Sequence, residues 1–97
     1  MLEIEFHEHA DEELKAATIF YESRQSGLGA ILLQRISEGC GLLRARPLAG
    51  RVMFDDFRRI LIRQFPYSLV YRLERDRIYL IAVAHLSRRP GYWKERG

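Results

Sequence analysis

Cysteine, lysine and long apolar runs are all scarce in this chain. Cys40 is the only cysteine among 97 residues, so no intrachain disulfide can form, which fits a reducing compartment. No apolar run approaches the ~18 residues that a membrane span needs. The acidic opening MLEIEFHEHADEE has neither the basic nor the apolar region of a secretory signal. The expectation is a cytoplasmic protein with no membrane partner. Linkers, repeats and low-complexity segments are also missing, and the length suits a single domain over residues 1–97 with one core. Hydrophobic residues at 47% and aromatics at 11% exclude a disordered chain.

Several chemistries lack their residues. His7-Glu8-His9, with Glu12 and Glu13, offers ligand types but neither H-E-x-x-H spacing nor paired cysteines, so no metal site is expected. Gly27-x-Gly29 opens a helix without the preceding strand and later glycine of a phosphate-binding loop, and no cofactor is expected. Cys40 falls within an apolar helical stripe and reads as a small core residue.

What is present is arginine. Only Lys15 and Lys94 are lysines, against fourteen arginines. The net charge of +3 hides a polar distribution: residues 1–23 carry seven acids against Lys15 alone, and residues 24–97 carry fifteen cations against six acids. Guanidinium forks grip phosphate and carboxylate through two parallel hydrogen bonds, which favours an anionic partner, nucleic acid or an acidic protein segment.

Hydrophobic periodicity predicts the elements. Leu2 to His7 alternates apolar and polar residues as a half-buried strand does. Ala10, Leu14, Ala17 and Tyr21 then follow helical spacing, with Asp11, Glu12 and Glu13 at the positive end of the helix dipole. This helix fades at Ser23 to Gly27, and a second runs from about Leu28 to Arg46, striped by Leu28, Leu32, Ile36, Cys40 and Leu43 and ended by Pro47. Gly39 and Gly41 within it either let the two helices approach closely or kink the helix.

Four strand-like runs follow: Gly50 to Phe54, Phe57 to Phe65, Tyr67 to Leu73 and Ile78 to Ala84, with connections short enough for an antiparallel meander. The expected fold is therefore α+β: an N-terminal strand, a helical hairpin packed on an antiparallel meander of three to four strands, and a short C-terminal helix carrying Tyr92 and Trp93. Strict alternation puts Tyr67, Leu69, Tyr71 and Leu73 on the helix-facing side, leaving Ser68, Val70 and Arg72 more exposed. It groups Tyr79, Ile81, Val83 and His85 on one face of the last strand, opposite Ile78, Leu80, Ala82 and Ala84, and it pairs Arg59 with Arg63 on one face of the Phe57–Phe65 run.

The candidate chemistry lies at the end of the last strand, where IYLIAVA breaks into HLSRRPGYWKER. Cleavage of RNA through its 2′-hydroxyl needs a base, a cation for the charged phosphorane and an acid for the leaving oxygen. His85, Arg88 and Tyr92 permit that set in a metal-independent endoribonuclease, and the same cluster equally suits docking of an acidic peptide.

The stretch Arg63-x-Phe65-Pro66-Tyr67-x-x-x-Tyr71 and the ending Ala82-Val83-x-His85-x-x-Arg88-Arg89-Pro90-x-Tyr92-Trp93, together with the hairpin residues Ala10, Leu14 and Tyr21, resemble the ParE/RelE toxin superfamily of bacterial toxin–antitoxin modules, most of all its ParE-type plasmid-stabilisation branch. The resemblance implies a toxin held inactive by a cognate antitoxin in a hetero-oligomer. RelE-like members cleave mRNA on the ribosome with basic and aromatic residues on the open sheet face, whereas ParE-like members poison DNA gyrase. Where RelE-like toxins carry arginines this chain has Ser68 and Leu86, while Tyr92 and His85 match. The balance favours gyrase; ribosome-dependent endonuclease activity and a non-toxic antitoxin-binding module are the alternatives. His85, Arg88 and Tyr92 are catalytic candidates only under the nuclease reading. Arg59, Arg63, Arg72, Arg89 and Trp93 are candidates for binding target or antitoxin.

Overall fold

The computed structural model describes residues 2–96. Strand β1 (Glu3–Phe6) leads into helices α1 (Glu8–Arg24) and α2 (Leu28–Ala45), followed by strands β2 (Arg51–Phe54), β3 (Phe57–Leu61), β4 (Tyr67–Leu73) and β5 (Arg77–His85). The sheet order is β1-β5-β4-β3-β2. Strands β2 to β5 form the expected antiparallel meander, and β1 adds in parallel to the far side of β5, from Glu3 opposite Arg77 to Phe6 opposite Leu80. The fold is thus the α+β class expected.

Local chemistry sets the helix ends. His7 caps α1 by accepting the His9 N–H on Nδ1 at 3.0 Å. Glu22, near the end of α1, accepts the Gly27 and Gly29 N–H groups at 3.0 Å each, so one helix satisfies orphan donors at the start of the other. The two helices approach at Gly29, where a Cβ would lie 2.9 Å from the Thr18 carbonyl oxygen. Gly39 serves a different contact, helix on sheet: a Cβ there would sit 2.8 Å from Leu69 Cδ1, whereas one at Gly41 meets nothing within 4 Å. Gly39→Ala is accordingly expected to cost about 1–3 kcal/mol by overpacking, and Gly41→Ala to add up to about 1 kcal/mol through helix propensity. Paired chemical-denaturation curves check both, and equal effects would refute the assignment.

Two apolar clusters sit on the two faces of the sheet. The helix-side core joins Ala10, Ala17, Leu32, Ile36 and Leu43 to Ile60, Leu69, Tyr71, Ile78, Leu80 and Val83. The opposite face buries Phe57, Val70, Ile81, Ala82 and Ala84 under Trp93. Tyr67, Leu69, Tyr71 and Leu73 do face the helices, but Ser68 and Val70 are buried rather than exposed, because the C-terminal segment covers them.

Three further expectations are corrected. Strand β5 does not alternate strictly: Val70 pairs with Ala82 and Tyr71 with Leu80, so Ile81 is an extra residue in a β-bulge. Ile81 and Ala82 therefore share the open-face cluster, and Val83 returns to the helix side. Strand β3 stops at Leu61 because the chain bends through Gln64 at φ 73° before Pro66. The terminal segment is a chain of turns rather than a helix: Tyr92, Lys94 and Arg96 donate their N–H groups to the carbonyls of Arg89, Gly91 and Trp93, with Gly91 at φ 78° interrupting helical geometry.

Candidate functional site

The turns after His85 fold the C-terminal segment back over the open face of the sheet. Leu86 N–H donates to the Pro66 carbonyl and Arg88 N–H to that of His85, which reverses the chain. Trp93, 5% exposed, then meets Phe57 edge-on at 5.0 Å. Between this segment and the sheet runs a groove floored by Ser68, Val70 and Ala84 and rimmed by Met53, Arg59, His85 and Arg88 to Trp93. Its volume of about 220 Å³ is below the ~300–1,000 Å³ of small-molecule pockets, which suits the contour of a macromolecule. A second cleft lies on the α1 side of His85 and Arg88, lined by Glu13, Ala16, Ala17, Phe20, Tyr67 and Val83. His85 and Arg88 thus border both.

His85 is half-buried, edge-on to the Tyr67 ring at 5.0 Å. Its Nδ1 accepts the Ser87 N–H at 3.0 Å and lies 2.7 Å from Ser87 Oγ. An accepting Nδ1 places the proton of the neutral ring on Nε2. Burial pushes the Tyr67 hydroxyl up to about 12.

Tyr92 is held from behind. Its hydroxyl donates to Glu13 Oε2 at 2.7 Å, and the guanidiniums of Arg88 and Arg96 lie over its ring at 3.9 and 5.0 Å. Burial, and then the Glu13 hydrogen bond, push the phenol well above its usual range, so it neither gives nor takes a proton readily near neutrality. Glu13 also accepts from Arg96 Nη1 and Nη2 at 2.9 and 3.0 Å and from the Val83 N–H at 3.1 Å, while Arg96 Nη1 donates to the Ile81 carbonyl at 3.1 Å. Strand β1 pairs with β5 only to Leu80; beyond it, Glu13 and Arg96 occupy the bulge's backbone groups.

The sequence candidates divide in space. Arg59, His85, Arg88, Arg89, Tyr92 and Trp93 border the groove, although Trp93 belongs to the core under it. Arg63 lies apart from Arg59: past the end of β3 it pairs with Glu38 of α2 at 3.2 Å. Arg72 is on the open face but away from the groove, bonded to Glu74 at 2.7 Å and set over the Phe57 and Tyr79 rings at 5.4 and 6.0 Å. Sequence reasoning missed Glu13 and Arg96, which are 83 positions apart; no local pattern joins them.

No curated protein matches the chain. Among solved structures it resembles one described as "Chromosomal ParDE TA system from P. aeruginosa", with a TM-score of 0.72 and 20% identity over 90% of this chain and 98% of that one. At that identity the likeness is one of fold. The profile of the family described as "ParE toxin of type II toxin-antitoxin system, parDE" matches residues 4–90. With that match spanning most of its length, on the α+β fold described above, the chain belongs to the ParE toxin family of type II toxin–antitoxin systems.

Proposed function

We propose that this protein arrests bacterial growth from the cytoplasm by poisoning DNA gyrase, and that a cognate antitoxin neutralises it within a hetero-oligomer that serves plasmid stabilisation. The observation that carries the gyrase reading is Tyr92. A nuclease mechanism needs a second proton-transfer group opposite His85, and the candidate, the Tyr92 phenol, already donates its proton to Glu13 and faces away from any substrate at that atom. Ser68 and Leu86, which the resemblance aligns with the catalytic arginines of RelE-like toxins, carry no charge. The groove therefore suits docking better than cleavage. Among the described residues no helix is long and apolar enough to cross a membrane.

The antitoxin reading is supported by the α1 side. Phe20, 47% exposed, lines the cleft floored by Ala16 and Ala17, and its helix neighbour Ile19 is 71% exposed, apolar surface suited to a partner segment. Ribosome-dependent mRNA cleavage stays as the second reading on one observation, the unoccupied Nε2 of His85 beside Arg88.

The test is induction in bacteria with pulse-labelled thymidine and methionine. Thymidine incorporation is expected to fail first, with recovery on antitoxin co-expression. Methionine failing first would replace gyrase by the ribosome. Growth without arrest, at confirmed soluble expression, would leave only an antitoxin-binding module.

A further inference from the structure

Arg35, Arg63, Arg72, Arg77 and Arg96 each pair with a glutamate. At the groove Arg59 and Arg89 make no ion pair among the described residues, as Arg44 and Arg75 elsewhere make none, and Arg88 meets the Tyr92 ring; the groove differs in bringing three such cations to one cleft. Arg51 stands directly opposite Arg59 across β2 and β3, so both side chains leave the sheet on the same face. Like charges in that relation destabilise a sheet, and no carboxylate is bonded to either. Arg59 on one rim, with Arg51 next to it on β2 outside the lining, faces Arg88 and Arg89 on the other, so the cleft carries positive charge that no carboxylate among the described residues offsets.

The shape of the anion follows from what the groove lacks. Single-stranded nucleic acid is gripped by stacking bases on exposed aromatic plates. Here Trp93 is 5% exposed and edge-on to Phe57, and two guanidiniums already lie over the ring of Tyr92. Met53 and Leu86 supply no such plate, and His85, the remaining ring of the lining, is half-buried and edge-on to Tyr67. Cations without stacking surfaces contact phosphates and read no bases. We propose that this groove binds the phosphodiester backbone of duplex DNA, independently of sequence, through Arg51, Arg59, Arg88 and Arg89. The proposal deepens the gyrase reading and rests on it for its biological setting, because the DNA segment held by gyrase would be the ligand; the binding itself requires no gyrase.

The test uses the full chain and a short duplex of arbitrary sequence, followed by fluorescence anisotropy across a salt series from about 50 to 200 mM. Affinity is expected to fall steeply with salt. The double variant Arg59→Ala/Arg89→Ala is expected to bind about tenfold or more weakly, with the slope of log K against log salt reduced by about 2. Arg44→Ala/Arg75→Ala removes the same charge at exposed positions away from the groove and is expected to bind as the parent does. Equal losses in the two double variants would overturn the proposal, as would tighter binding of single-stranded RNA of the same length or no duplex binding at the lowest salt. A parallel supercoiling assay separates the two claims. Duplex binding without gyrase inhibition would sink the gyrase reading alone, and gyrase inhibition without duplex binding would sink this inference alone.

Discussion

Tyr71→Ala is expected to remove about 3–5 kcal/mol of stability, the range for deleting a large buried aromatic side chain. The ring is fully buried in the helix-side core. Its hydroxyl also closes the connection from α2 to β2, donating to the Pro47 carbonyl at 2.7 Å and accepting the Gly50 N–H at 2.9 Å. Gly50 is required there, since a Cβ would lie 2.5 Å from the Tyr71 oxygen. Truncation therefore leaves a cavity and two backbone groups without partners. A domain of this size holds about 5–15 kcal/mol in total, so the variant forfeits a large share of it. Its thermal midpoint is expected to fall by at least about 12 °C. Tyr71→Phe isolates the polar part: the cavity is avoided, and the orphaned carbonyl and N–H are expected to cost about 1–3 kcal/mol. A melt of Tyr71→Ala superimposable on the parent would mean that the ring does not lie in the core.

That side chain was legible in the sequence, and the reason is physical. In YSLVYRL only Val70 interrupts the alternation, so the period still separates Leu69 and Tyr71 from Val70 and Arg72 onto two faces, although it does not show that Val70 is buried too. Both helices were equally plain, because their stripes hold for about three turns in α1 and four in α2 and Gly27 and Pro47 punctuate them. Strand β5 shows where alternation fails. Every residue from Ile78 to Ala84 is apolar or aromatic, so nothing in the pattern marks Ile81 as the bulge, and a one-residue slip reverses every face after it. His85 was therefore grouped with Tyr79, when it lies against Tyr67. Arg63 failed similarly: two apolar residues beyond Leu61, Ile62 and Phe65, stay in the core although the strand has ended. Periodicity continued where the backbone did not. The groove was half legible. One rim is visible in the ending His85 to Trp93, but the floor of Ser68, Val70 and Ala84 and the far rim at Met53 and Arg59 come from strand pairing that one sequence does not display.

The largest effect outside the apolar core is expected at Glu13. One carboxylate accepts four hydrogen bonds, from Val83, from both terminal nitrogens of Arg96 and from Tyr92. Glu13 and Arg96 side chains are only 16% and 15% exposed, so their attraction is little screened, and removing one leaves the other desolvated and unpaired. Glu13→Ala is expected to cost about 2–4 kcal/mol, somewhat below the full range for a buried pair because both ends retain some solvent. The cost has a direction. Without Glu13 nothing holds the Tyr92 hydroxyl, Arg96 keeps only its bond to the Ile81 carbonyl, and the last segment is freer to lift from Phe57 and Val70. Trp93 is the only tryptophan, so its emission reports that movement without a label and is expected to shift to longer wavelength before the global unfolding transition. Arg96→Ala should reproduce the shift. The double variant is expected to fall short of the sum of the two single losses by about 1–3 kcal/mol, the signature of a direct coupling. Additive losses with unchanged Trp93 emission would show that the C-terminal segment is held by its apolar contacts alone, and that the carboxylate serves only the Val83 N–H at the bulge.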